Sequence, residues 1–140
     1  MKKIQIIALI ILTCCLSSCL NDDNDGIIFS YELVPIEEVD IPDQFIRGET
    51  YEITVSYFRP SDCHSFSGFD YDRLANERTV SVVNVVVNDR ECEDLAQTDL
   101  IDASLNFLVG IEESYVFRFW QGRNDQGENQ FLIREVPVVD

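Results

Sequence analysis

The 140-residue chain has one histidine, one tryptophan, one methionine and, beyond Lys3, no lysine. Each scarcity removes a class of chemistry. With His64 as the only imidazole, no paired-histidine metal site can form, and no CxxC completes a zinc site around Cys63. The residues therefore imply no metal and no cofactor. Nucleophilic catalysis normally sets a histidine or lysine beside a serine or cysteine. His64 is the one candidate base, but it adjoins a cysteine expected in a disulfide, and no Gly-x-Ser-x-Gly occurs. It reads as a hydrogen-bonded loop residue. Two carboxylates can run glycoside hydrolysis, yet among 26 acids some pair is inevitable, and no polar cluster stands out. The chain is accordingly read as a non-enzyme. A carboxylate-based hydrolase or a calcium-stabilised envelope protein is the alternative.

Positive charge is scarce as well. Apart from Lys2 and Lys3, eight arginines face 26 acids, a formal −18 for residues 19–140. Such a surface repels phosphates, so nucleic acid and anionic lipid are poor partners. A membrane-spanning run is missing too: the longest apolar stretch, Ile4 to Leu16, is interrupted by Gln5 and Thr13 and falls short of the ~20 residues a span needs. Placed behind Met1-Lys2-Lys3, it has the form of a secretory signal.

The end of that signal is informative. Leu16-Ser17-Ser18-Cys19 resembles the lipobox of bacterial lipoproteins, with small residues before the cysteine, whereas Cys14 is preceded by Thr13 and Cys15 by Cys14. The resemblance implies removal of residues 1–18, a diacylglycerol on the Cys19 thiol and acylation of the new amino group. Two or three chains, at roughly 0.8 kcal/mol per buried methylene, make a firm membrane anchor. Residues 19–26 then form a tether, because Asn21-Asp22-Asp23-Asn24-Asp25-Gly26 has nothing apolar to bury and repels itself. An acidic stretch behind a lipidated cysteine also resembles the export signal of Bacteroidota lipoproteins. It implies an outer-membrane location at the cell surface, with a periplasm-facing domain as the alternative. Asn21, Asp23, Asp25, Gly26 and Glu32 match the spacing of an EF-hand loop. That motif needs a helix on each side, which Ile27 to Val34, a predicted strand, does not provide.

Residues 27–140 are enough for one domain with its own core. Once Cys14 and Cys15 leave with the signal and Cys19 carries lipid, only Cys63 and Cys92 remain. An even pair in an exported chain predicts a disulfide, worth roughly 3 to 4 kcal/mol for a loop of about 30 residues in the chain-entropy account. The periodicity is that of strands. Tyr51, Ile53, Val55 and Tyr57 alternate with polar residues; Thr79 to Val87 is β-branched and apolar enough for a core strand; Ala103, Leu105, Phe107 and Val109 share a face, as do Tyr115, Phe117 and Phe119. A hairpin is expected across Gly122 to Gly127, with Phe131 to Val138 returning. Strands at Phe29 to Val34 and His64 to Tyr71 bring the expected number to about seven, and Glu91 to Leu100 reads as a loop.

This pattern predicts an all-β, single β-sandwich, with a jelly-roll or small barrel as the alternatives. Gly110 to Phe117 resembles the corner before strand F of immunoglobulin-like domains, which implies that Tyr115 bonds its hydroxyl back to the backbone near Gly110 to Glu112. At whole-chain length, the lipobox, Gly48-Glu49-Thr50-Tyr51, Tyr57 to Cys63, Tyr115-Val116-Phe117-Arg118-Phe119-Trp120, the Gly122 to Gly127 hairpin and Val136-Pro137-Val138 together resemble small lipoproteins of flavobacteria and their relatives. That resemblance implies location and an immunoglobulin-like fold, and it carries no catalytic or ligand residues. A binding surface is expected on the other face of the Tyr115 strand, at Arg118 and Trp120, where an exposed aromatic can stack on a sugar or a partner's side chain. Packing of Trp120 in the core or under the hairpin, and of Arg118 against a neighbouring acid, is the plainer reading. The functional expectation is an envelope-anchored interaction or accessory module with a protein or glycan partner.

Overall fold

The computed structural model describes residues 26–140. Cys19, the lipobox and the tether before Gly26 lie outside the described residues. Within them every regular element is a strand: β1 (Phe29–Val34), β2 (Ile36–Asp40), β3 (Phe45–Ile46), β4 (Thr50–Tyr57), β5 (His64–Leu74), β6 (Glu77–Val87), β7 (Ile101–Leu108), β8 (Ser114–Arg123) and β9 (Asn129–Val139). Two sheets form a β-sandwich. One has six strands and follows β1-β6-β8-β9-β3, with β5 also on β6; the other is β2-β4-β7.

Alternation in the sequence decides which side chains meet between the sheets. Ile53, Val55 and Tyr57 from β4, Phe107 from β7 and Phe117 and Phe119 from β8 are buried there. The long β6 is central. Its partner β5 runs along one edge, while β1 pairs residues 82–87 and β8 pairs residues 77–80 on the other. A strand flanked on both edges and buried on one face wants β-branched residues, which is why TVSVVNVVV contains six valines. Asn84 is the exception. It is fully buried, and neither polar atom of its amide finds a partner among the described residues, a local cost to the core.

Two elements escape the periodicity. In β2 the register slips between Ile36 and Glu38, so the acids and the apolar residues do not alternate cleanly. The two-residue β3 is a short parallel ladder to the end of β9, Phe45 against Val138 and Ile46 against Val139. The expected break after Tyr71 is also absent, because β5 continues to Leu74 and turns directly into β6. That turn lacks glycine and holds Ala75 at φ 52°, at a cost of roughly 1 to 2 kcal/mol. Arg78 braces it by donating from Nη1 to the carbonyls of Ala75, at 2.8 Å, and Glu77, at 2.6 Å.

The Tyr115 corner is formed. The ring is buried, and the Gly110 N–H donates to the Tyr115 hydroxyl at 2.9 Å. Gly110 cannot be replaced cheaply, since a Cβ there would sit 2.9 Å from that oxygen. Strand pairing departs from an all-antiparallel sandwich beside this corner: β8 lies next to β6 in parallel, and β5 takes the outside.

Candidate functional site

Three groups of residues have the chemistry to act, and they lie in different parts of the sandwich. The first surrounds the Cys63–Cys92 disulfide, whose Cα atoms are 5.6 Å apart. His64 opens β5 and is buried; its Nδ1 lies 2.7 Å from Ser61 Oγ and its Nε2 lies 3.3 Å from Glu32 Oε2 on β1. Serine, imidazole and carboxylate in sequence resemble a hydrolytic triad in composition. The nucleophile is closed off, however: Ser61 is 4% exposed and its oxygen also accepts the Cys63 N–H at 3.3 Å. Ser61 lines neither of the two main grooves, and the chain of bonds serves to tie β1 to the start of β5. Asp62, beside it, accepts the Glu93 N–H at 2.9 Å and pairs with Arg90 at 3.0 Å. The Glu93 N–H first, and then the Arg90 charge, hold its carboxyl below the ordinary value. Asp62, Cys63 and Cys92 also come close enough to suggest a metal cluster, but both sulfurs are bonded to each other and neither can ligate as a thiolate.

The second group is the outer face of the six-stranded sheet. Strand register puts Phe29, Tyr31 and Leu33 opposite Val87, Val85 and Val83, and Arg118 and Trp120 opposite Ile133 and Phe131, all on that face. Trp120 is therefore outside the core. It is half-buried there, and its Nε1 donates to Asn129 Oδ1 at 3.0 Å beside the hairpin. Arg118 does not pair with an acid among the described residues; its guanidinium lies 4.5 Å over the Phe131 ring, a cation–π contact. The β1 row is the most exposed part, with Phe29 at 55%, Tyr31 at 62% and Leu33 at 45%. The sequence pattern did not single it out, because an alternating strand looks the same whichever of its faces is left uncovered.

The third is a groove of about 480 Å³ at the side of the sandwich. The β5–β6 hairpin contributes Phe69, Tyr71, Arg73 and Arg78, and β7 contributes Leu105 to Leu108. None of these is an acid. Arg78 is 9% exposed, with its guanidinium 4.8 Å from the Tyr115 ring and 5.9 Å from Phe107. Burial pushes the Tyr71 phenol above its ordinary value, against the pull of the Arg78 charge. No reading of the sequence pointed to this groove, since Arg78 and Phe107 come from strands of different sheets.

No family model, curated protein or solved structure matches the chain.

Proposed function

We propose that this chain is a lipid-anchored, non-catalytic interaction module. Cys19 carries the anchor, the acidic tether directs the domain to the cell-surface side of the outer membrane, and the outer face of the six-stranded sheet engages an extracellular protein. The exposed row Phe29, Tyr31 and Leu33 carries this reading. An uncovered aromatic and aliphatic strip on a chain of formal −16 marks a contact surface, and Trp120, Arg118 and Phe131 extend it across the sheet with the residue types that dominate binding energy. A glycan stacked on Trp120 is the second reading, supported by the indole's place on the outer face rather than in the core.

The test uses cells that make the full chain, treated with a membrane-impermeant cross-linker. The intact protein should fractionate with membranes and give a discrete cross-linked species, which Tyr31→Ser with Leu33→Ser should abolish. Cys19→Ser should release the protein from the membrane fraction. Continued partition of that variant with detergent-phase membrane proteins defeats the anchor, and an undiminished cross-link in the double variant defeats the docking face.

A further inference from the structure

The groove between β5 and β7 holds a cation whose structural duties leave part of it unused. In a chain with 26 acids, Arg78 is almost fully buried and yet forms no ion pair among the described residues. Buried cations are normally paired, because desolvation is costly. Here the compensation is partial: Nη1 caps two turn carbonyls, and the π faces of Tyr115 and Phe107 lie alongside. A guanidinium has five N–H donors in a fixed fork. Its side-chain hydrogen bonds among the described residues go to the two turn carbonyls, and Tyr71, a neutral group, lines the same groove. Arg73 adds a second cation there, and it too has no acidic partner among the described residues.

The groove also has two unused strand edges. Among the described residues β5 pairs only with β6, and β7 only with β4, so each presents a row of backbone donors and acceptors. An extended segment lying there can add a strand to either sheet. Side chains of such a segment alternate, and every second one points between the sheets. One of these meets Arg78; the next meets the apolar wall of Phe69, Leu105 and Phe107. The volume is within the roughly 300–1,000 Å³ of ordinary ligand sites.

We therefore propose that this groove is a peptide site, separate from the outer face, and that its ligand is an extended segment with an Asp or Glu two residues from an apolar residue. The carboxylate takes the Arg78 fork, and β7 supplies the backbone pairing. The acid-free lining makes the site locally attractive to an acidic peptide despite the overall charge.

The probe is a hexapeptide blocked at both ends, Thr-Thr-Glu-Thr-Leu-Thr, titrated by NMR into the full protein in detergent micelles. Shifts should concentrate at Tyr71, Asn106 and Leu108, and β7 amides should gain protection from hydrogen exchange. Gln in place of the peptide's Glu should weaken binding about tenfold, the scale of a lost charge-assisted bond. Arg73→Gln should weaken it several-fold and flatten its salt dependence. Arg78→Gln also removes the brace of the Ala75 turn, so the peptide pair, which leaves the protein unaltered, is the deciding comparison. Equal binding of the Glu and Gln peptides overturns the proposal, as does binding without β7 protection. Equal competition by inorganic phosphate makes the site a general anion site, and tighter binding by a peptide whose only carboxylate is its C-terminus makes it a chain-end site; either result overturns the side-chain reading.

Discussion

The two ends of the sandwich are held by different means. At the end nearest Gly26 the connections are long and irregular, and they are tied by the Cys63–Cys92 bond, the Ser61–His64–Glu32 chain and the Asp62 contacts to Arg90 and Glu93. At the opposite end the β5–β6 turn and the β7–β8 corner are short, and no covalent tie is present among the described residues. Rings fill it instead: Phe45, Tyr51, Phe107, Tyr115 and Phe117 meet with centroids 4.8 to 6.4 Å apart. Single polar bonds cap them, Gly110 N–H to Tyr115 and Ile46 N–H to Tyr51. Large aromatics bury enough area to hold a corner by packing. Where Val86 and Ala103 stand in the core, less area is buried per side chain, and the loops rely on cross-links.

Substitutions at each end should separate these two modes. Tyr115→Ala removes a ring packed against Phe107 and Phe45, and should cost about 3 to 5 kcal/mol in chemical denaturation. Cys63→Ala with Cys92→Ala should cost roughly 3 to 4 kcal/mol, with hydrogen exchange rising first at Glu93 and Leu95 and last at Gly110. A uniform rise across both ends would mean that the disulfide supports the whole sandwich. Tyr115→Phe keeps the ring and leaves Gly110 N–H without its acceptor, at a cost of about 1 to 3 kcal/mol. The same Phe change at exposed Tyr31 should be near neutral. The smallest effect is acid-dependent. Asp62 titrates below its ordinary value of 3.8 in the folded state, so its contribution is complete above that value and is lost as pH falls through the folded pKa. Exchange at the Glu93 and Leu95 amides should therefore accelerate in acid before that at Gly110, and Asp62→Asn should remove the difference.

Much of this contrast is legible in the residues. The aromatic end announces itself through alternation, in Tyr115, Phe117 and Phe119 and in Ala103, Leu105, Phe107 and Val109, and the corner hydroxyl finds its backbone partner where the Gly110 to Phe117 stretch implies. The pair Cys63 and Cys92, read from the sequence as a disulfide, is bonded in the structure. The site residues fare less evenly. Arg118 and Trp120 do lie on the face away from Tyr115, but Arg118 stacks on Phe131 instead of pairing with an acid. His64 is a hydrogen-bonded residue as expected, though it begins a strand and its second partner, Glu32, is 32 positions away. The strands β2 and β3 are illegible for local reasons: a bulge breaks the alternation of one, and the other is two residues long.

Composition and period two thus determined that the chain forms strands, which side chains face inward, and that a disulfide closes the Cys63 to Cys92 loop. These properties depend on residues close together or on totals over the chain, which a linear reading contains. Only the tertiary structure decided which strand lies beside which. Among the described residues it put β8 in parallel on β6, left the edges of β5 and β7 open, exposed the outer row of β1 and enclosed Arg78 between aromatic rings without an acidic partner. Each of these rests on pairings between residues far apart in the chain, Phe29 with Val87, Thr50 with Leu108 and Glu77 with Val116. Over such separations the loop-closure cost is similar for several arrangements, and the packing of whole faces selects among them.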